Sequence, residues 1–227
     1  MNAIERGLAA VRARLAAAEW AAGRVQGAVG LVAVSKTHPA AAIREAYSAG
    51  QRDFGENYLQ EARAKQEELN DLDIVWHFIG PIQSNKTKVL AAHFDWVHSV
   101  DRLKIAERLS EQRPEGLAPL NICIQVNVSG EASKSGAIPA QVADLAAAVA
   151  KLPQLRLRGL MAIPAPSDDF ARQCAAFRTL RELMEALDVP GLDTLSMGMS
   201  DDLEAAVREG ATLVRVGAAI FGPRPSR

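Results

Sequence analysis

Eight short apolar segments, each followed by a stretch with helical spacing, predict a single (β/α)8 barrel. Several of the segments are β-branched or apolar on both faces, as strands of a helix-covered parallel sheet should be. The units recur at intervals of roughly 20 to 40 residues, and no GxGxxG motif follows the first strand, so an open dinucleotide-binding sheet fits less well. The predicted strands begin at Leu31, Arg52, Ile74, Asp95, Asn121, Leu155, Asp193 and Thr212.

Residues that start helices stand between the predicted strands. Pro39 and Pro139 are each placed to open a helix, because the fixed φ of proline suits the first helical turn. Asn57, Asp101 and Ser200 are the predicted N-caps of the helical stretches that follow them. Strand and helix therefore alternate along the chain, as a barrel of this class requires.

The first 24 residues predict an additional helix that packs on the barrel. Acidic residues interrupt the positive face of this segment, and it has no apolar core of the signal-peptide type, so a targeting peptide is disfavoured. No linker rich in proline, glycine or serine divides the chain, and residues 1–227 are predicted to form one domain. The apolar residues that share one side of the first helix are Ile4, Leu8, Val11 and Leu15.

The composition is that of an ordinary soluble globular protein. Of 227 residues, 48% are hydrophobic and 23% are charged, and the formal net charge is -1. A near-neutral chain is not expected to bind nucleic acid, and no apolar segment is long enough to predict a membrane span. Cys123 and Cys174 have neither disulfide-motif nor zinc-ligand spacing, which favours two free thiols in a reducing compartment. We expect a cytoplasmic protein, and a monomer, since no exposed apolar repeat or swapped segment is evident.

Lys36 closes the first predicted strand, at the end of the barrel where such folds build their sites. Taken alone it is most simply a solvent-exposed lysine at a strand end. A Walker-type phosphate loop is excluded, because Ser35-Lys36-Thr37 lacks the preceding glycine and Pro39 follows closely. A general base and a Schiff-base lysine are the remaining chemical readings.

The last two strands end in small residues that favour an anion site. LSMGMSDDLEAAV and RVGAAIFG place backbone N–H groups of Ser200, Gly217 and Ala218 where barrels commonly bind phosphate. Asp201 and Asp202 are expected to point outward from the first turn of the helix that follows. The first and last strands are neighbours in a closed barrel, so a small phosphorylated aldehyde would bridge the lysine and the phosphate site. Pyridoxal 5′-phosphate (PLP) is the obvious candidate.

Five segments carry a resemblance to a known family: AVSKTHP, DFGENYLQE, WHFIGPIQSNK, LSMGMSDD and VRVGAAIFG. Together they resemble the PLP homeostasis protein family, the single-domain relatives of the alanine racemase barrel. The resemblance covers nearly the whole chain after the first helix, and WHFIGPIQSNK is its most specific segment. It implies a PLP-binding barrel whose role is to hold PLP and hand it to recipient enzymes.

The resemblance also implies roles for individual residues. Lys36 would carry PLP as a Schiff base, and Ser200, Gly217 and Ala218 would bind its phosphate. Arg215 would face the pyridine nitrogen. A cationic partner keeps that nitrogen unprotonated, which weakens PLP as an electron sink.

Three further residues can be interpreted only in more general terms. Asn57 either caps its helix or lies beside the cofactor ring, and both readings stay open. Met161 is expected to line the pocket. His77 alternates with two apolar aromatic residues and is expected to be a packed or hydrogen-bonded histidine rather than a catalytic one.

The expected function is reversible PLP carriage in vitamin B6 homeostasis, without efficient turnover. Racemase-like enzymes supply a tyrosine base from a second domain, whereas this chain ends at Arg227, directly after the last predicted strand. Its two tyrosines, Tyr47 and Tyr58, lie in the early helices. A PLP-dependent amino-acid racemase is the alternative.

Overall fold

The computed structural model describes residues 1–131 and 135–223, and eight parallel strands in this part of the chain form a closed barrel. Each strand pairs with the next in sequence, and the last pairs with the first. The predicted (β/α)8 fold is confirmed. The strands are β1 Gly30–Val34, β2 Asp53–Glu56, β3 Val75–Phe78, β4 Trp96–Val100, β5 Leu120–Gln125, β6 Leu155–Met161, β7 Thr194–Ser196 and β8 Leu213–Val216.

Helices surround the barrel and pack apolar faces onto the outer side of the strands. None of the described helices is long and apolar enough to cross a membrane. The α-helices are α1 Ala3–Ala21, α2 Ala40–Ser48, α3 Leu59–Glu68, α4 Thr87–His93, α5 Leu103–Gln112, α6 Val142–Val149, α7 Phe170–Glu185, α8 Leu203–Arg208 and α9 Ala218–Phe221.

The additional N-terminal helix is present as predicted and packs against α8 and α9. Asn2 and Glu5 form a reciprocal capping box at its start. At Gly7 the helix approaches α9 so closely that an added Cβ would lie 2.7 Å from the carbonyl oxygen of Ala219. Arg14 reaches from the same helix to the carbonyl oxygen of Ser200, with its Nη1 at 2.7 Å. The N-terminal helix therefore braces both segments that follow β7 and β8.

Three of the predicted helix caps, Asn57, Asp101 and Ser200, are wrong. Each of these helices begins one or two residues later than the cap rule predicts. The N-cap residues observed for α3, α5 and α8 make no side-chain capping bond, so we attribute these three helix starts to tertiary packing. The observed N-cap residues are Tyr58, Arg102 and Asp202.

Candidate functional site

A cavity of about 310 Å³ lies at the carboxyl ends of the strands, where β1, β7 and β8 meet. It is lined by six of the seven residues that the sequence analysis selects, together with apolar side chains. The six are Lys36, Asn57, Ser200, Arg215, Gly217 and Ala218. The apolar lining comes from Val34, Ile79, Ile163 and Met199.

Met161, the seventh residue, does not line this cavity. It is the last residue of β6 and its side chain is fully buried in the barrel. Ile163, two residues further along, lies at the cavity instead. The segment that follows β6 therefore does reach the cavity, but through Ile163, whereas Met161 is buried deeper in the barrel.

Lys36 projects into the cavity from the end of β1 and is half-buried. Val32 and Val34, at alternate positions on that strand, both lie over Gly55 inside the barrel. Because side chains alternate along a strand, Lys36 continues the inward face beyond Val34. The backbone direction of β1 thus delivers this side chain to the cavity.

The residue after Lys36 has a strained backbone. Thr37 has a φ of 66°, a left-handed conformation that a β-branched residue rarely adopts. Its backbone N–H donates to Oε2 of Glu61 on α3, at 3.1 Å. Such strain costs on the order of 1–3 kcal/mol and persists only where the surroundings enforce it. Helix α3 therefore helps to set where Lys36 leaves the strand.

A buried ion pair supports the same loop from behind. Lys65 Nζ lies 2.7 Å from Glu56 Oε1 and also donates to the carbonyl oxygen of Ser35, at 2.9 Å. The Ser35 hydroxyl donates to the same oxygen of Glu56, at 2.6 Å. Burial raises the pKa of Glu56, although Lys65 and the Ser35 hydroxyl oppose that shift. This pair fixes the residue that precedes Lys36.

Three residues that follow β7 and β8 line the cavity and have backbone N–H groups without a backbone acceptor in the described part of the chain. The N–H groups of Ser200, Gly217 and Ala218 donate to no backbone carbonyl in the described ranges. At Gly217 an added Cβ would lie 3.0 Å from the carbonyl oxygen of Val34, so a larger residue would press on β1. The backbone N–H groups of these three residues are therefore available to an acceptor outside the backbone.

The predicted helix start at Ser200 is instead a turn, and one of the two aspartates there behaves differently from the prediction. Asp201 is exposed at the cavity edge, as expected. Asp202 is not: its Oδ1 accepts a hydrogen bond from the backbone N–H of Met199 at 2.6 Å. Burial raises the pKa of Asp202, while that hydrogen bond and the positive charge of Arg215 lower it.

Arg215 brings a positive charge into the inner wall of the cavity. Its side chain is 3% exposed. Nη1 donates to the Ser196 hydroxyl at 2.7 Å and Nη2 donates to the carbonyl oxygen of Ala162 at 3.0 Å. Burial lowers the pKa of Arg215 to about 10, against the opposing charge of Asp202. The guanidinium therefore stays cationic at neutral pH.

Asn57 sits where the chain passes from β2 to α3, in close contact with Gly80. A Cβ added to Gly80 would lie 2.2 Å from the carbonyl oxygen of Asn57, so only glycine fits there. The side-chain Oδ1 of Asn57 is buried and has no hydrogen-bond partner in the described part of the protein. An acceptor buried in this way beside a cavity is suited to a bound ligand.

Sequence reasoning missed several residues of the site. His38 lines the cavity and packs on Phe221, with 5.3 Å between ring centroids. Burial lowers its pKa, and the charge of Lys65 adds to that effect.

The sequence did contain one signal for the α3 residues that support the Lys36 loop: Glu61 and Lys65 are four apart and so share a face of the helix. In the described ranges no group of three metal-ligating side chains occurs.

Known proteins resemble this chain over nearly its whole length. A family model described as the alanine racemase N-terminal domain matches residues 8–225. A Pseudomonas aeruginosa protein named pyridoxal phosphate homeostasis protein is 67% identical over 224 residues, which cover 99% of this chain and 97% of that protein. A protein of the same name from Escherichia coli strain K12 is 54% identical over 229 residues, covering 99% and 98%.

Solved structures extend the comparison. PipY of Synechococcus elongatus, solved with PLP bound, is 44% identical with a TM-score of 0.85, covering 96% of this chain and 100% of PipY. An alanine racemase from Corynebacterium glutamicum is 18% identical with a TM-score of 0.67, covering 97% of this chain and 61% of the racemase. The likeness to the racemase concerns the fold alone.

Proposed function

This chain belongs to the pyridoxal phosphate homeostasis protein family, within the alanine racemase N-terminal domain family, and from that premise we propose that it binds PLP and acts in PLP homeostasis. The proposed site is the cavity at the ends of β1, β7 and β8. We further propose that residues 1–227 form one PLP-binding domain, a cytoplasmic monomer of 24.3 kDa that passes PLP to recipient enzymes.

One observation carries the proposal: a lysine, a buried arginine and three backbone amides without backbone acceptors converge on one cavity. PLP combines an aldehyde, a phosphate and a ring nitrogen that accepts a hydrogen bond, and each finds a chemically matched group there. The apolar side chains of Val34 and Met199 suit the flat ring. The unpartnered Oδ1 of Asn57 offers a further polar contact to a ring substituent. The residues present therefore fit the cofactor.

We assign the roles as follows. Lys36 carries PLP as a Schiff base, and the amides of Ser200, Gly217 and Ala218 hold the phosphate. Arg215 donates a hydrogen bond to the ring nitrogen. When bound, PLP supplies an electrophilic aldehyde that condenses with amines.

Carriage rather than efficient turnover is the function that these residues support best. Because Arg215 is cationic at neutral pH, it keeps the ring nitrogen unprotonated and so limits carbanion stabilisation. Neither tyrosine of the chain lines the cavity. Tyr47 lies on α2 with the Arg52 guanidinium over its ring, and Tyr58 is 46% exposed. A tyrosine base of the racemase kind is therefore not placed to act here.

The site assignment is tested by trapping. Addition of PLP is expected to produce a visible absorption band, and borohydride reduction is expected to attach the cofactor to the peptide that contains Lys36. Lys36→Ala abolishes the label, whereas the matched variant Lys88→Ala, at an exposed lysine on α4, retains it. A label on any other peptide contradicts the assignment.

The carrier role is tested by transfer. A PLP-free recipient enzyme is mixed either with the loaded protein or with an equal amount of free PLP, in the presence of an aldehyde scavenger that consumes free PLP. Recovery of recipient activity from the loaded protein, under conditions where the scavenger blocks free PLP, supports direct hand-over. Equal loss of recovery in both mixtures contradicts it.

His38 favours a second candidate function, amino-acid racemisation. It is a cavity-lining base whose pKa is lowered by burial, so it is neutral at physiological pH. Chiral analysis of alanine and serine after incubation with the loaded protein separates the two functions. Turnover at ordinary enzymatic rates, above about 1 s⁻¹ and lost in His38→Asn, would establish the racemase.

A further inference from the structure

A continuous chain of side chains crosses the barrel interior from the cavity to the opposite end. Arg215 Nη1 contacts Ser196 Oγ at 2.7 Å, and that oxygen lies 2.7 Å from His98 Nδ1. His98 Nε2 contacts His77 Nδ1 at 2.9 Å, and His77 Nε2 contacts Asp53 Oδ1 at 3.0 Å. The five residues come from β8, β7, β4, β3 and β2, and Asp53 is the first residue of its strand. The chain therefore links the cavity to the amino-terminal end of the barrel.

The chain is buried at its centre and open at its far end. His98 is fully buried and His77 is 1% exposed, whereas the side chain of Asp53 is 42% exposed. Trp96 stacks on His77, with 5.5 Å between ring centroids and 14° between planes. The guanidinium carbon of Arg158 lies 4.6 Å from the centroid of the Trp96 ring. The histidines are thus held on all sides by packed side chains.

The donor and acceptor properties of these side chains give the series of hydrogen bonds one direction. An ionised Asp53 only accepts, so His77 carries its proton on Nε2. Burial above all, together with the charge of Arg215, lowers the pKa of His98, which is therefore neutral. His77 then accepts at Nδ1 from the Nε2–H of His98. His98 in turn accepts at Nδ1 from the Ser196 hydroxyl, whose oxygen accepts from Arg215. When both rings are neutral, every hydrogen bond of the series is satisfied in this arrangement.

We propose that Asp53, His77, His98 and Ser196 are positioning residues that orient the Arg215 guanidinium for the ring nitrogen of PLP. With its own proton committed to His98, the Ser196 oxygen acts only as an acceptor for Arg215. The Ala162 carbonyl holds the other terminal nitrogen of the guanidinium. These two acceptors fix the plane of the group, and Arg215 itself lines the cavity. The proposal rests on the proposed PLP site, but the arrangement of protons is independent of it.

The proton arrangement is tested without cofactor. The chain has four histidines, so nitrogen-15 NMR of the imidazole rings resolves them individually. Both His77 and His98 are expected as neutral rings protonated on Nε2. A ring protonated on Nδ1, or a doubly protonated ring, at about pH 7.5 overturns the proposed direction. Asp53→Asn is expected to release the enforced tautomers, while Asp73→Asn, at an exposed aspartate, leaves them unchanged.

The link to the cofactor is tested with two ligands, PLP and its 1-deaza analogue, which lacks the ring nitrogen. Asp53→Asn is expected to weaken PLP binding about three- to tenfold and Ser196→Ala about tenfold or more, as losses of supporting hydrogen bonds commonly do. Neither substitution is expected to change binding of the deaza analogue. Unchanged PLP binding in both variants, or equal weakening of the two ligands, overturns the positioning role.

The two proposals fail in different ways. If the wild-type protein does not bind PLP, the proposed function is wrong, and the NMR result still decides whether the proton chain exists. If the wild type binds PLP and the deaza analogue equally well, the role of Arg215 toward the ring nitrogen is wrong, and with it the positioning role.

Discussion

Replacing Lys65 by methionine is expected to destabilise the protein strongly, and by an amount that depends on pH. The substitution keeps most of the side-chain volume but removes the ammonium group that lies 2.7 Å from Glu56 Oε1. The two side chains are 8% and 0% exposed, so water cannot replace the lost partner. Breaking a buried ion pair in this way typically costs about 3–5 kcal/mol.

Protonation of Glu56 limits the part of that cost that comes from its unpaired charge, and the lost hydrogen bonds of Lys65 add to it. Its usual pKa is about 4.3, so about 2.7 pH units separate it from pH 7, and at about 1.4 kcal/mol per unit protonation costs about 3.7 kcal/mol. We therefore expect Lys65→Met to lower the free energy of unfolding by about 3–4 kcal/mol at pH 7. A raised carboxyl pKa in the folded state favours folding at low pH, and its effect is lost as pH rises. The destabilisation should therefore shrink to about 1–2 kcal/mol at pH 5.

Urea unfolding of four proteins at the two pH values measures this effect: wild type, Lys65→Met, Glu56→Gln/Lys65→Met and the exposed control Lys88→Met. The double variant has no buried charge to neutralise and should recover most of the lost stability at pH 7, with little dependence on pH. Lys88→Met should change the free energy of unfolding by less than about 0.5 kcal/mol. A loss below about 1 kcal/mol for Lys65→Met at pH 7, or equal losses at both pH values, would refute the reasoning.

Three further predictions follow from the buried groups and the close contacts. Burial raises the pKa of Cys123 to about 12, so iodoacetamide at about pH 8.5 should leave that thiol unmodified in the native protein and modify it in urea; peptide mapping that finds it alkylated in the native state contradicts this. The lowered pKa of His98 means that the unfolded chain binds a proton first, so stability should fall by up to about 1.4 kcal/mol per pH unit below about pH 6.5, and less steeply in His98→Gln; an equal slope in both proteins rejects this origin. Gly80→Ala must displace the backbone at Asn57 and should cost about 1–3 kcal/mol while weakening PLP binding; wild-type values in urea unfolding and PLP titration would contradict this steric argument.

The barrel could be predicted because its signal is local. Each strand is a short apolar segment with helical spacing after it, and all eight form where that pattern places them. The helix starts were less predictable. Asn57 and Ser200 have good cap chemistry, but packing of the following helix on the barrel begins later, and this depends on contacts that local sequence does not contain.

The site was predictable to the extent that strand ends converge in this fold. Lys36 and Arg215 are placed by the order of strands alone, since β1 and β8 pair. The prediction for Met161 was wrong because the position of a strand end does not show how many residues further along the chain the cavity begins. The contacts among Asp53, His77 and His98 depend on the register of neighbouring strands, which periodicity along one strand cannot supply.

The pairing of β1 with β8 determines when the barrel can close during synthesis and contributes to the stability of the closed barrel. Gly30–Val34 is synthesised before Leu213–Val216, and residues at the ends of both strands line the cavity. A nascent chain in which β8 has not yet emerged therefore lacks one wall of the cavity. A ligand that contacts both strand ends, as proposed for PLP, would stabilise the closed barrel: at a hundred times its dissociation constant it would add about 2.7 kcal/mol to the free energy of unfolding.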